Sequence, residues 1–417
     1  MSFHLTRDVH GDTSKIVKTQ QIPIGSPPSG LAGAITFDPK TNSFMGSGNR
    51  GSIPLTTGVV ATIPVGVTPA GIAITPDGTK AYVANNNNYG TTYEAIIPIP
   101  CDSVTVIYVG PATNGPFPYN VIKTITDASF NQPYTITISG TRAYVTNSAG
   151  STITIINTIN DTVVGVVTGF DGPSGMVITP DGLKGYVINY GAAGGVGSGN
   201  GNTVRVVDLN TNAIVGLPIT VAQAPSGIVM TSDGARVYTI NYMTGLTDGT
   251  MSVIDTSNNS SIFGIVGGLS GPFGIVLSPD NTTAYVTNFG SNNFNPVGTT
   301  VSILSLAAPT APVITGTITT GIQPSGIAID QNGRYLYVSN YNVLYSDPVH
   351  FTGLIAGEGT VSVIDLNTLL LPLATKPGVV KVIITGQSPN YITPHPNGQV
   401  AMVSNFSSNT ISVISMF

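Results

Sequence analysis

Acid, base and metal chemistry need convergent carboxylates or imidazoles, and this 417-residue chain has few: 19 Asp and Glu, four His and one Cys. Glu94, Asp248, Asp347 and Glu358 fall, with His350, in insertions between the recurring words of the sequence. Brought together they could hold calcium or serve as general acid and base. Nothing in their spacing demands it, and solvated loop charges are the plainer explanation. Asp77, Asp181, Asp233 and Asp280 sit in tight turns such as Pro-Asp-Gly, where a carboxylate bonds its own backbone. Asp208, Asp255 and Asp365 close the words VVDL, VIDT and VIDL, which leaves Asp102, Asp127 and Asp171 among the remaining acids. His4 and His10 lie near the amino end and His395 in the turn PHPNG, with no His-x-His or Glu-x-x-His spacing for a transition metal. Cys101 has no basic neighbour to make it a nucleophile. The glycine-rich GAAGGVGSGNGN from Gly191 has no helix after it to cradle a phosphate. The expectation is therefore no catalytic set, no metal and no cofactor.

A second pattern suits binding better. Asn followed by an aromatic recurs as Asn189-Tyr190, Asn241-Tyr242, Asn288-Phe289, Asn340-Tyr341 and Asn405-Phe406, with Tyr89 a displaced relative and Asn147-Ser148 lacking the ring. Tyr89, Tyr190, Tyr242, Phe289, Tyr341 and Phe406 are the candidate ligand-binding residues. They could form a circle of aromatics and amides suited to a sugar or a partner's loop. The competing explanation is architectural: Asn satisfies strand-end backbone while the ring packs on its neighbour. A feature present in nearly every repeat favours architecture.

The elements that must position these residues are repeats. GPSGMVITPDGLKGYVIN from Gly172 reads as turn, apolar strand, tight turn, second strand, Asn. Close copies start at Thr68, Ala224, Gly271 and Gln323, looser ones at Gln132 and Ser388, and a worn one near Pro28. Two further strands complete each unit, so every repeat supplies four, A to D, in about 40 to 50 residues, the period of a β-propeller blade. The expectation is an all-β, single-domain propeller spanning 1–417, built of four-stranded antiparallel blades. Eight blades are favoured, headed by Pro28, Pro69, Pro133, Pro173, Pro225, Pro272, Pro324 and Pro389; seven is the alternative if the first copy is not a true blade. Residues 1–13 read as a polar arm. Residues 14–25, SKIVKTQQIPIG, resemble an orphan strand D, expected to close the ring beside Thr410 to Ser415.

The words AYVTN, AYVAN and LYVSN, with PDG before and SVID after, resemble the YVTN-repeat β-propellers, which include surface-layer-type proteins and share their fold with lactonase-like enzymes. That resemblance implies a scaffold presenting loops. Composition agrees: charged residues are 8% of the chain, net charge is −5 and no Lys/Arg cluster exists, which argues against a nucleic-acid partner and removes a guard against self-association. No window is apolar enough to span a membrane, and no signal peptide is visible. The function expected is a non-enzymatic scaffold binding protein or glycan, extracellular or surface-associated, in a layer, particle or filament. The alternative is a hydrolase or lactonase-like enzyme working at the channel mouth. The face carrying the B–C insertions is the expected binding face.

Overall fold

A computed structural model describes residues 35–38, 43–46, 55–56, 58–87, 102–110, 119–191, 199–242, 249–290, 297–308, 311–341, 343–345, 354–356, 359–367 and 378–416. Among these, seven four-stranded antiparallel sheets form the blades of a single propeller. The first blade consists of Pro69–Ile74, Lys80–Asn85, Ser103–Tyr108 and Asn120–Thr126, in the order A-B-C-D. Five more follow over 133–168, 173–220, 225–269, 272–319 and 324–385.

The last blade corrects two expectations. Its strands Pro389–Pro394, Val400–Asn405 and Thr410–Ser415 are completed by Val59–Pro64, with Thr410 opposite Pro64 and Val413 opposite Ala61. The count is therefore seven, not the eight favoured from the repeats. Among the described residues the Pro28 copy supplies Ile35–Asp38 and Ser43–Gly46, which pair with each other in a separate two-stranded sheet. Its own strand D, Val59–Pro64, is spent on the last blade. The position assigned to residues 14–25 is thus taken by 59–64; residues 1–25 lie outside the described residues. A short strand, Leu55–Thr56, runs parallel to Val382–Ile383 and extends the sixth sheet to five strands.

Period-2 alternation places the core between blades rather than within them. Among the described residues seven apolar clusters occur, one for each neighbouring pair. One joins Met402, Ile411 and Val413 of the last blade to Ile72, Val83 and Ile107 of the first. The strand B tyrosine of the YVTN word is an inter-blade staple: Tyr82, Tyr186, Tyr238 and Tyr337 are fully buried. Tyr186 Oη donates at 2.8 Å to Oδ1 of Asn259, the residue before the fourth blade's strand D, Ser260–Leu269. Tyr82 Oη bonds Asp161, which also pairs with Lys80 at 2.8 Å. A buried phenol left without such an acceptor would forfeit a hydrogen bond, so the tyrosine fixes how neighbouring blades register.

Side-chain donors of each blade also reach strand A backbone of the next. The set runs Asn86 to Pro133, Thr137 to Met176, Ser174 to Pro225, Ser226 to Pro272, Thr287 to Ser325, Ser325 to Pro389 and Thr393 to Ile72, at 2.7 to 3.4 Å. The last of these brings the seventh blade against the first.

Candidate functional site

Strand A begins with Pro in every blade, where the missing N–H costs the ladder nothing. The residue before it has a positive φ each time, from 49° at Thr68 to 57° at Gly172. This turn aims a carbonyl at the residue that follows strand B. Tyr190, Tyr242, Phe289, Tyr341 and Phe406 each donate their N–H to it, at 2.7 to 3.0 Å, as do Asn86 and Ser148 in the first two blades. The candidate aromatics are thereby held on one rim, beside the start of strand A, and the B–C insertions leave the sheets from there.

The preceding Asn has a structural task. Its Nδ2 bridges strand C hydroxyls: Asn85 to Ser103 and Thr105, Asn147 to Thr152 and Thr154, Asn288 to Thr300 and Ser302, Asn340 to Thr360 and Ser362, Asn405 to Thr410 and Ser412. In three blades its Oδ1 also accepts a loop N–H, from Asp171, Ser270 or Gly321. These amides are buried and their Nδ2 groups are engaged, although Oδ1 of Asn85, Asn147 and Asn405 has no hydrogen-bond partner among the described residues, and burial keeps them from lining a binding surface.

The rings following them are half-buried and touch in sequence. Phe406 and Tyr341 have centroids 6.2 Å apart, Tyr341 and Phe289 5.9 Å, Phe289 and Phe273 5.7 Å. From Phe273 the run turns inward to Tyr391 at 6.1 Å, and from there to Tyr134 at 5.9 Å in an edge-on contact. Separations of this size are those of favourable offset or edge-to-face pairs. Tyr242 Oη donates to Gly290 O at 2.8 Å, tying the fourth blade's ring to the fifth blade. Tyr190 lies close enough to Tyr134 to oppose its ionisation. Tyr89 lies outside the described residues.

Sequence reasoning missed the inner members of this cluster. Most blades have Ser-Gly or Ala-Gly after the leading Pro, because strand A backbones approach closely: a Cβ on Gly326 would stand 2.5 Å from Asn390 O. Tyr134, Phe273 and Tyr391 break that pattern as PYT, PFG and PNY. A ring replacing a small residue on the innermost strand was the available signal. Phe273 and Tyr391 border a central cavity of about 210 Å³ to which all seven strands A contribute, among them Thr135, Ser174 and Ser226. The Tyr391 and Tyr134 rings meet edge-on at its border. Burial pushes Tyr134 up to about 12 and Tyr391 well above the usual phenol value, so both stay protonated near neutrality and offer hydrogen bonds rather than base catalysis.

The acid candidates fare differently. Glu94, Asp248, Asp347, Glu358, His350 and Cys101 lie outside the described residues. Asp102 accepts the Gln132 N–H at 3.0 Å across the seam between the first two blades, and Asp127 accepts that of Ser129 at 2.9 Å. His395 is buried; its Nδ1 accepts the Asn397 N–H, so Nε2 carries the proton donated to Gly78 O of the first blade, at 2.9 Å. Asp77, Asp181, Asp233 and Asp280 close their turns as expected, accepting a backbone N–H at 2.9 to 3.1 Å. Among the described residues no three His, Cys, Asp or Glu gather as a metal group, and no helix is long and apolar enough to cross a membrane.

No family model matches the chain, and no curated protein matches it in sequence. Among solved structures it is similar to the Kuenenia stuttgartiensis hydrazine synthase at 19% identity, with a TM-score of 0.65, over 87% of this chain and 99% of that one. A likeness at that identity is one of fold: the chain is a β-propeller.

Proposed function

We propose that the protein is a non-enzymatic scaffold whose loop-bearing face holds a protein or glycan partner against the aromatic rim, as a component of a surface layer, particle or filament. The observation that carries this reading is the continuous, half-exposed run of rings Phe406, Tyr341 and Phe289 at the foot of the insertions. Rings fixed by backbone bonds offer stacking area at little entropic cost, which suits sugar faces and the apolar side chains of a partner loop. Elaborated loops on a rigid scaffold are the usual place for recognition. The inward phenols add donors and acceptors beneath that surface. Hydrazine synthesis is an activity of the similar Kuenenia protein and does not transfer with the fold, since a propeller hosts many tasks.

The test is calorimetric titration with a panel of neutral oligosaccharides, together with a photo-crosslinking residue at position 341 to capture a protein partner. Tyr341→Ala weakens binding about tenfold, as expected for one lost stacking ring worth roughly 1 to 2 kcal/mol, while Val313→Ala on the perimeter leaves it unchanged. Equal binding by wild type and Tyr341→Ala would sink the reading.

A further inference from the structure

Every outer strand D with described side chains is bulged. Opposite strand C, one residue is extra: Ile122 in the first blade, Val164 in the second, Thr315 in the fifth, Val380 in the sixth and Val60 in the last. In the third, residues 216–218 face Arg205 alone, because Val206 pairs with Val215 and Val204 with Ile219. A bulge bends an edge strand and interrupts regular pairing, a known guard against edge-to-edge aggregation. That guard needs no apolar side chain, and Thr315 supplies it with a hydroxyl. Yet Val60, Ile122, Val164, Leu217 and Val380 all project large apolar groups into solvent.

Among the described residues, six of the eleven exposed large apolar side chains fall on two neighbouring blades. Val164 (55% exposed), Val166, Val215 and Leu217 (86%) lie on Thr162–Thr168 and Ala213–Thr220, flanked by Ile159 and Leu183 in adjoining turns. The two blades come together beneath these strands, where Ile214 packs on the cluster of Ile155 and Val167 and a Cβ on Gly169 would stand 3.2 Å from Ile214 Cδ1, and the surface beyond Gly216 is open for 4 Å. Together the six side chains expose on the order of 600 Å² of apolar area, the upper end of what a monomer carries. With their polar surround they approach the roughly 800 Å² that one partner buries in a standard interface.

Neither strand contains a charged residue. Such a patch meets its own copy across a two-fold axis without like-charge repulsion, whereas a charged partner would bury ions with nothing to pair them. The chain already shows that an outer strand accepts a further strand past its bulge, where Leu55–Thr56 lies along Val382–Ile383. We propose that two copies of the protein associate edge to edge through the outer strands of the second and third blades. The surface is separate from the loop-bearing face and does not depend on what that face binds.

Sedimentation velocity of the full chain, from about 1 to 100 μM, tests this directly. Wild type is expected to reach the mass of two copies. Leu217→Asp raises the dissociation constant about 30-fold or more, because the interface must then bury an unpaired carboxylate. The double variant with Val164→Asp sediments as one copy, with unchanged far-ultraviolet circular dichroism and melting temperature, since both positions are exposed. Val313→Asp, on the outer strand of the fifth blade, leaves the dimer intact. The proposal is overturned by a wild type that stays monomeric throughout, by a double variant that still dimerises, by dissociation on Val313→Asp, or by dissociation only when residues 1–34 are deleted.

Discussion

The turn aspartates show how single side chains hold this chain together with so few charges. Asp280 accepts hydrogen bonds from the Ser278 hydroxyl and from the N–H and hydroxyl of Thr282, which hold its carboxyl below the ordinary value of 3.8. Asp77, Asp181 and Asp233 are lowered in the same way, first by Thr75, Thr179 and Thr231 respectively. A carboxylate whose folded pKa is depressed stabilises the fold above its unfolded pKa, and that contribution is lost as pH falls through the folded value. Melting temperature should therefore decline below about pH 4. The gap between wild type and Asp280→Asn, measured calorimetrically, should be widest near pH 6 and close by about pH 2. A gap that persists in acid would assign the effect to packing. This role was readable in the sequence because an Asx turn is local. So was the strand-end duty of Asn189 and Asn340. The phenol pair of Tyr391 and Tyr134 was not, because it joins the last blade to the second across some 250 residues of chain, a juxtaposition only the ring creates.

Strands were easier to find than to assign. Four per repeat, their turns and their order all follow from period-2 patterning, yet the repeat pattern gives Val59–Pro64 to the Pro28 copy and residues 14–25 to the Ser388 copy, where the pairing puts Val59–Pro64 in the last blade. Its words decide that it is a strand D; only the pairing of Ala61 with Val413 decides whose. The choice turned eight blades into seven. It also makes this strand a point of weakness, since its ladder to Thr410–Ser415 joins segments about 350 residues apart and is the only strand the last blade borrows. Ala61→Pro removes a donor and fixes φ in that ladder, and an acceptor left unpaired there costs roughly 1 to 3 kcal/mol. The expected result is a lower denaturation midpoint and increased proteolysis of the last blade. If Ala61→Pro melts like wild type, the last sheet does not rely on 59–64.

Seven similar interfaces raise the question of whether the propeller unfolds as one body or blade by blade. Stacked repeats that contact only their neighbours lose cooperativity as the array lengthens, and an open array frays from its ends. Here the seventh blade meets the first through Thr393 to Ile72, His395 to Gly78 and Thr68 to Asn409, at 2.9 Å in each case, over a shared apolar cluster. These bonds leave no blade at an end, so no unit can open without breaking two interfaces. His395 is informative because the other turns hold Thr, Ser or Asp at its position, and only here does the residue after strand A reach across to the next blade's turn glycine. Replacing His395 by Ala removes the bond to Gly78 and leaves a buried carbonyl unpaired, a cost of roughly 1 to 3 kcal/mol. The protein should then fray at that one seam. Wild type is expected to show a single transition with equal calorimetric and van't Hoff enthalpies, and native-state hydrogen exchange of similar protection in all seven blades. In His395→Ala, protection should fall first in the first and seventh blades, while Thr231→Ala, at the equivalent turn of the fourth blade, should lower stability without concentrating exchange at any seam. Uniform loss of protection in both variants would mean that the contact between the seventh blade and the first carries no more weight than the others, and that the seven clusters alone hold the ring.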